Sequence, residues 1–215
     1  MATRLYLSNQ AAAISPAFGG WSVTADAVRK ALLSAKDAGD SNSTVPLVGP
    51  AGASALAVQF IGEPLSAQTI SGTIKGQARF RNSLDNSGDN ASTRLLIRVV
   101  SNDGSVVRGT LLSLGAYGPG SVLSSAFTNR ILADGDALSS VDAQDGDRLV
   151  VEVGVGGPSD DDLFVSIGAP LGTNDLPEDE TTTTALVPWV EFSGNLVFQS
   201  DAGSSVSNLP LLGVG

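Results

Sequence analysis

The chain contains no cysteine and no histidine, and the two absences remove most familiar site chemistry. Without cysteine there are no disulfides, thiol nucleophiles, thiolate zinc sites or iron–sulfur clusters, and the redox compartment is left open. Without histidine the commonest general base, the usual zinc ligand and the central member of a Ser-His-Asp triad are gone. Hydrolysis by a pair of carboxylates is the catalytic route that remains. Long apolar runs are also missing: nothing approaches the ~20 residues that a membrane helix needs. The opening MATRLYLSNQAAAIS carries one charge and no sustained apolar stretch, unlike a signal peptide. The expectation is a protein that is soluble when made and has no membrane partner.

What is present is the alternation of a sheet protein. From Thr69 to Arg81 (TISGTIKGQARFR) apolar or glycine positions alternate with polar ones. This pattern directs Ile70, Gly72, Ile74, Gly76, Ala78 and Phe80 to a core and Gln77, Arg79 and Arg81 to water. A hairpin is read at Arg94 to Ser101 and Val106 to Leu114, joined through Asn102-Asp103-Gly104, three residues that tolerate left-handed turn conformations. Further strands are expected at Thr3 to Ser8, around Trp21 to Thr24, and at Asp26 to Lys36, where a helix competes. Others follow at Ser54 to Gly62, Ser124 to Ala133, Asp147 to Val155, Leu163 to Gly168 and Trp189 to Phe198. Residues 37 to 54 and 168 to 187 read as loop. So many strands without crossover helices predict an all-β fold, specifically an antiparallel two-sheet β-sandwich of jelly-roll type. It would occupy residues 1–198 as one domain. Residues 199–215 read as a flexible linker ending in an apolar tail, whose Leu209, Leu211, Leu212 and Val214 are the candidate partner-binding residues.

Charge is unevenly placed within the net value of -10. Residues 1 to 133 hold eleven Lys/Arg against seven Asp/Glu, whereas 134 to 180 hold one Arg against thirteen acids. An acidic protein is a poor binder of nucleic acid, but a basic part and an acidic part can pair between copies in an assembly. Asp160, Asp161, Asp162, Asp175 and Asp179 are weak candidates for calcium, since loop carboxylates at a sandwich rim supply the oxygen ligands it takes. No other cofactor is indicated. Glu152 and Glu191 lie inside predicted strands, and alternation places both as exposed carboxylates opposite core valines and Phe192. No catalytic residue is assigned, and no enzyme is expected. Trp21 and Trp189 read as core or rim aromatics. Arg79, Arg81, Arg94, Arg98 and Arg108 read as a cationic face on adjacent strands, suited to acidic partners.

The segments TRLYL, RVVSNDGSVVRGTLLS, AQDGDRLVVEVG and LPEDETTTT with PWVEF resemble a group of uncharacterised tailed-bacteriophage virion proteins of the capsid decoration, or cement, type. The similarity spans most of residues 3 to 198 and transfers no site residue. It implies a virion structural role on the capsid surface for a protein made in the host cytoplasm. Its partners would be the major capsid protein and further copies of itself, as a trimer. The alternative reading is a tail-fibre or carbohydrate-binding jelly roll that recognises a host surface glycan through an exposed aromatic residue.

Overall fold

A computed structural model describes residues 1–36, 41, 43–47, 53–82, 91–118, 123–156, 163–168 and 174–202. Eleven strands and one helical turn make up its regular structure: β1 (Thr3–Ala11), β2 (Val28–Leu33), β3 (Ser43–Leu47), β4 (Ser54–Pro64), β5 (Gln68–Asn82), β6 (Ser92–Val100), β7 (Val107–Gly115), β8 (Thr128–Ala143), β9 (Arg148–Gly156), β10 (Leu163–Ile167), β11 (Trp189–Phe192) and α1 (Gln199–Ala202). The all-β expectation holds. The division into two antiparallel sheets does not describe the pairing, because the strands form one hydrogen-bonded sheet in the order β3-β10-β5-β11-β1-β2-β4-β9-β6-β7, with β8 on the other edge of β5. The long β5 makes this possible. Its 15 residues receive β8 along one edge and β11 and β10 in tandem along the other. The sheet is also mixed, since β2 and β4 pair in parallel.

Two local readings change. A strand, β3, lies inside the stretch read as loop, because its Ser, Thr and Pro composition hides a pairing with β10. β8 runs ten residues beyond Ala133, to Ala143. Gly135, at φ 85°, is the extra residue between Asp134 and Asp136 where the register against Lys75 and Ile74 shifts, and this bulge lets the strand continue past a sequence that reads as a turn. Trp21 to Thr24 forms only an isolated bridge from Val23 to Ala55. The segment after Gln199, read as linker, begins with the turn of α1.

One buried cluster gathers Leu5, Leu32, Phe60, Ile74, Phe80, Ile97, Leu132, Val151, Val190, Phe192 and Phe198, so strands from both ends of the chain share a core. Burial of apolar area on this scale is the main driving force of the fold. The opposite face of β4, β9 and β6 is apolar too. Trp21, Leu56 and Leu96 pack there with Phe18, and Ile61, Val100 and Val150 pack with Ala12 and Ile14. The N-terminal segment that follows β1 therefore covers the outside of the sheet.

The β6–β7 hairpin turns as its sequence predicts, with Gly104 at φ 77°. Asp103 Oδ1 accepts from Ser101 Oγ at 2.6 Å, Ser105 N at 3.1 Å and Ser105 Oγ at 2.8 Å. These bonds, that from Ser101 foremost, hold the carboxyl down from 3.8 to about 2. A carboxylate with a depressed folded pKa stabilises above its unfolded pKa and loses that contribution as pH falls through its folded pKa. The hairpin tip is thus expected to lose the support of Asp103 between roughly pH 4 and pH 2. NMR titration of Asp103 should give a midpoint near the lower end, moving upward in Ser101→Ala; an ordinary midpoint in the unaltered protein would contradict the turn geometry.

Candidate functional site

Alternation along β9 sends Leu149, Val151, Val153 and Val155 into the core and Glu152 to the other face. That face is not solvent. Glu152 is 0% exposed and its partner Arg98 is 7% exposed, which corrects the reading of Glu152 as a surface carboxylate. Strand register builds the arrangement: Gln59 on β4 and Leu96 on β6 lie directly across from Glu152, and Arg29 on β2 lies across from Gln59. Glu152 Oε1 accepts from Arg98 Nη2 at 2.6 Å and Gln59 Nε2 at 2.7 Å, and Oε2 accepts from Trp21 Nε1 at 2.7 Å. The Gly19 amide donates to both oxygens at 3.1 Å.

The same cations and amide reach the backbone of the covering segment. Arg98 Nη2 donates to Ala17 O at 2.8 Å, Gln59 Nε2 to the same oxygen at 3.2 Å, and Arg29 Nη2 to Pro16 O at 3.0 Å. Arg29 also lies 4.0 Å from the centre of the Phe18 ring. A β-carbon on Gly19 would meet the ends of the Leu96 and Glu152 side chains, so a larger residue here would displace them or lift the strap. Residues 16–21 are latched to the sheet by a buried ion pair whose carboxylate is enclosed by four donors.

A second strap crosses the outside of β1, β11, β5 and β8. It is the acidic segment from Asp175 to Glu180, and cations of the sheet fasten it. Arg4 Nη1 meets Asp175 at 2.9 Å, Lys36 Nζ meets Asp175 at 2.5 Å, Lys75 Nζ meets Glu178 at 2.7 Å, and Arg130 Nη1 meets Glu180 at 3.3 Å. Arg4 Nη2 also reaches Glu191 at 2.8 Å, and its guanidinium stacks 3.8 Å over the Trp189 ring. Trp189 Nε1 donates to Leu176 O at 2.8 Å, and Asn129 Nδ2 to Pro177 O at 2.7 Å. Burial pushes the Asp179 carboxyl up, but hydrogen bonds from Thr182, Asn129 and Thr181 outweigh it and hold the group below the usual range. Burial, with Asp175 nearby, pushes the Tyr6 hydroxyl up.

This strap accounts for several differences from the sequence reading. Gln77 and Arg79, expected in water, are 2% and 9% exposed, and Arg79 Nη2 donates to Thr183 O at 3.1 Å. Asp175 and Asp179, candidates for calcium, are already held by protein cations, amides and a hydroxyl. Among the described residues no group of three or more acids could hold a metal ion. Asp160, Asp161 and Asp162 lie outside the described residues, as do Leu209, Leu211, Leu212 and Val214.

The five arginines do not make one face. Arg98 is buried against Glu152, and Arg108 pairs with Asp147 at 3.1 Å. Arg94, on β6, lies far along the sheet order from Arg79 and Arg81 on β5. The carboxylates Glu152 and Glu191 stay apart as well. Four strand spacings separate β11 from β9 in the sheet order, roughly 19 Å along the surface at ~4.8 Å each, well beyond the separation a paired glycosidase site uses. Trp21 and Trp189 are 8% and 0% exposed, so the core-or-rim reading holds for both. No described helix is long and apolar enough to cross a membrane.

The network around Glu152 was out of reach of sequence reasoning, because its donors come from residues 19, 21, 59 and 98. A hint existed in the row of Gln59, Arg98 and Glu152, polar positions inside otherwise apolar strands.

No protein-family model matches the chain, and no curated protein does. Among solved structures, the chain is similar to a CocE/NonD family hydrolase from Staphylococcus aureus, at a TM-score of 0.32 and 11% identity, over 92% of this chain and 35% of that one. A second structure of that family from the same organism gives 0.31 and 11%, again over 92% and 35%. The chain thus spans about a third of the length of those hydrolase chains. These neighbours are hydrolases, in contrast to the expectation that the chain is no enzyme, but likeness at this level carries no argument about an activity of this chain.

Proposed function

We propose that this chain is a virion structural protein of a tailed bacteriophage, a capsid decoration subunit that acts as a homo-oligomer bound to the major capsid protein. The observation that carries the reading is where its charge is used. Each ion pair among the described residues joins segments at least 39 positions apart, and five of the seven fasten a covering segment or a turn to the sheet, while the Arg98–Glu152 pair between β6 and β9 holds residues 16–21 through hydrogen bonds. Straps fastened to such pairs cover part of each outer face. A domain of that construction resists local opening, the property that a shell-stabilising subunit needs. The resemblance of its strand and turn segments to phage virion proteins supports the same reading.

The apolar peptide Leu209 to Gly215 is the proposed arm that contacts a neighbour, since a short apolar peptide adds contact area without a further domain. Co-sedimentation with capsids built from the cognate major capsid protein, followed by capsid melting, tests both parts. The full chain should bind and raise the melting temperature, and removal of residues 209 to 215 should weaken binding. Undiminished binding after truncation would sink the arm, and absence of binding by the full chain would sink the decoration reading. The glycan-binding alternative loses its main support, because neither tryptophan offers an exposed platform.

A further inference from the structure

Among the described residues six cations form ion pairs with acids; at one end of β5 two arginines do not. Arg79 and Arg81 are two residues apart on one face of that strand, and Phe127 lies 5.2 Å from both guanidinium carbons. Arg81 stacks 3.9 Å over Phe164 and makes no hydrogen bond or ion pair among the described residues. Arg79 is only 9% exposed, its Nε has no partner, and burial lowers its pKa. Glu180, carried past this end by the strap, is taken by Arg130 and by the amide of Ile131. Arg79 is buried and already donates to Thr183 O, so it adds positive charge beneath the surface, while the half-buried Arg81, stacked on Phe164, keeps guanidinium N–H groups to offer a carboxylate.

Unused acids lie at the opposite end of the same ribbon. Asp142 on β8 and Asp145 in the β8–β9 turn are exposed, and each is bonded only to a neutral group, Thr69 Oγ1 at 2.7 Å and Gln199 Nε2 at 2.9 Å. Antiparallel register sets Thr69 against Asp142 and Arg79 against Asn129. Ten residues of β5 therefore separate the two patches, roughly 33 Å at ~3.3 Å per residue. One chain cannot bring its own patches together.

We propose that the Arg79–Arg81 end of β5 is a carboxylate-binding interface that receives Asp142 and Asp145 of a second copy of this chain. Unlike patches at opposite ends make a head-to-tail contact, which closes into a ring when the rotation between copies allows. The inference rests on the homo-oligomeric part of the reading above and supplies the surface it needs.

Light scattering of the full chain, of Arg81→Glu, of Asp142→Arg with Asp145→Arg, and of the three changes combined tests it. The unaltered chain should be an oligomer whose mass falls with added salt. Each single-patch variant should fall to monomer mass, and the triple variant, with charges exchanged at both ends, should regain the oligomer. That recovery also shows that the variants fold. Unchanged oligomer mass in Arg81→Glu, or a triple variant that stays monomeric, would overturn the interface while leaving the oligomer itself intact. A monomeric unaltered chain would overturn both, whereas capsid co-sedimentation judges the decoration reading independently.

Discussion

Replacing Glu152 by alanine is expected to destabilise the protein by about 3–5 kcal/mol, the cost of leaving one partner of a buried ion pair alone. Arg98 would keep its charge in a site where its side chain is 8% exposed, and the Trp21 Nε1–H and the Gly19 amide would lose their acceptor. Denaturant unfolding measures the loss, and a red shift in Trp21 emission should accompany it as the strap lifts. Glu152→Gln keeps the volume and one acceptor oxygen but turns an amide N–H₂ toward donors, so it should fall between the unaltered protein and alanine. An effect within ~0.5 kcal/mol, as for an ordinary surface position, would mean that the strap is not latched.

The second large effect is expected at Trp189, where truncation to alanine should cost about 3–5 kcal/mol. The side chain is 0% exposed, and on the face of β11 away from the main core it links the stacked Arg4 guanidinium to the carbonyl of Leu176 in the second strap. Trp189→Phe retains much of the packing and removes only the N–H donor, leaving Leu176 O unpaired at about 1–3 kcal/mol. The two variants separate packing from strap anchoring. Limited proteolysis should show cleavage within residues 175 to 187 appearing first in both. Full protection of that segment in Trp189→Ala would show that the Arg4, Lys75 and Arg130 ion pairs hold it without the indole.

The two residues also show where sequence reasoning stops. Alternation along the hairpin strand from Arg94 to Ser101 puts Leu95, Ile97 and Val99 on one face and Arg94, Leu96 and Arg98 on the other, and the structure has the first three in the main core and Leu96 in the cluster on the opposite face. The same alternation put Glu152, Gln77 and Arg79 on a face away from the main core, which is correct. It took that face to be wet, which is not. A pleat of period two divides a strand into two faces but says nothing of what covers each. The covering segments, residues 16–21 and 175–180, look like polar or proline-containing loop because their ordering comes from partners on distant strands. β3 was missed for the same reason: a five-residue strand rich in Ser, Thr and Pro declares itself only once β10 offers its edge.

The sequence alone determined the all-β class, most of the strand positions, the β6–β7 turn and the composition of the core, since these follow from local alternation and from turn chemistry at single glycines. Tertiary structure alone decided that the strands join in one mixed sheet, that part of each outer face is covered, and that the acids of 175–180 serve as fasteners. It also decided which arginines have no carboxylate among the described residues. These outcomes depend on pairings between residues separated by tens to nearly two hundred positions, and no local periodicity encodes which distant strand a given edge will meet.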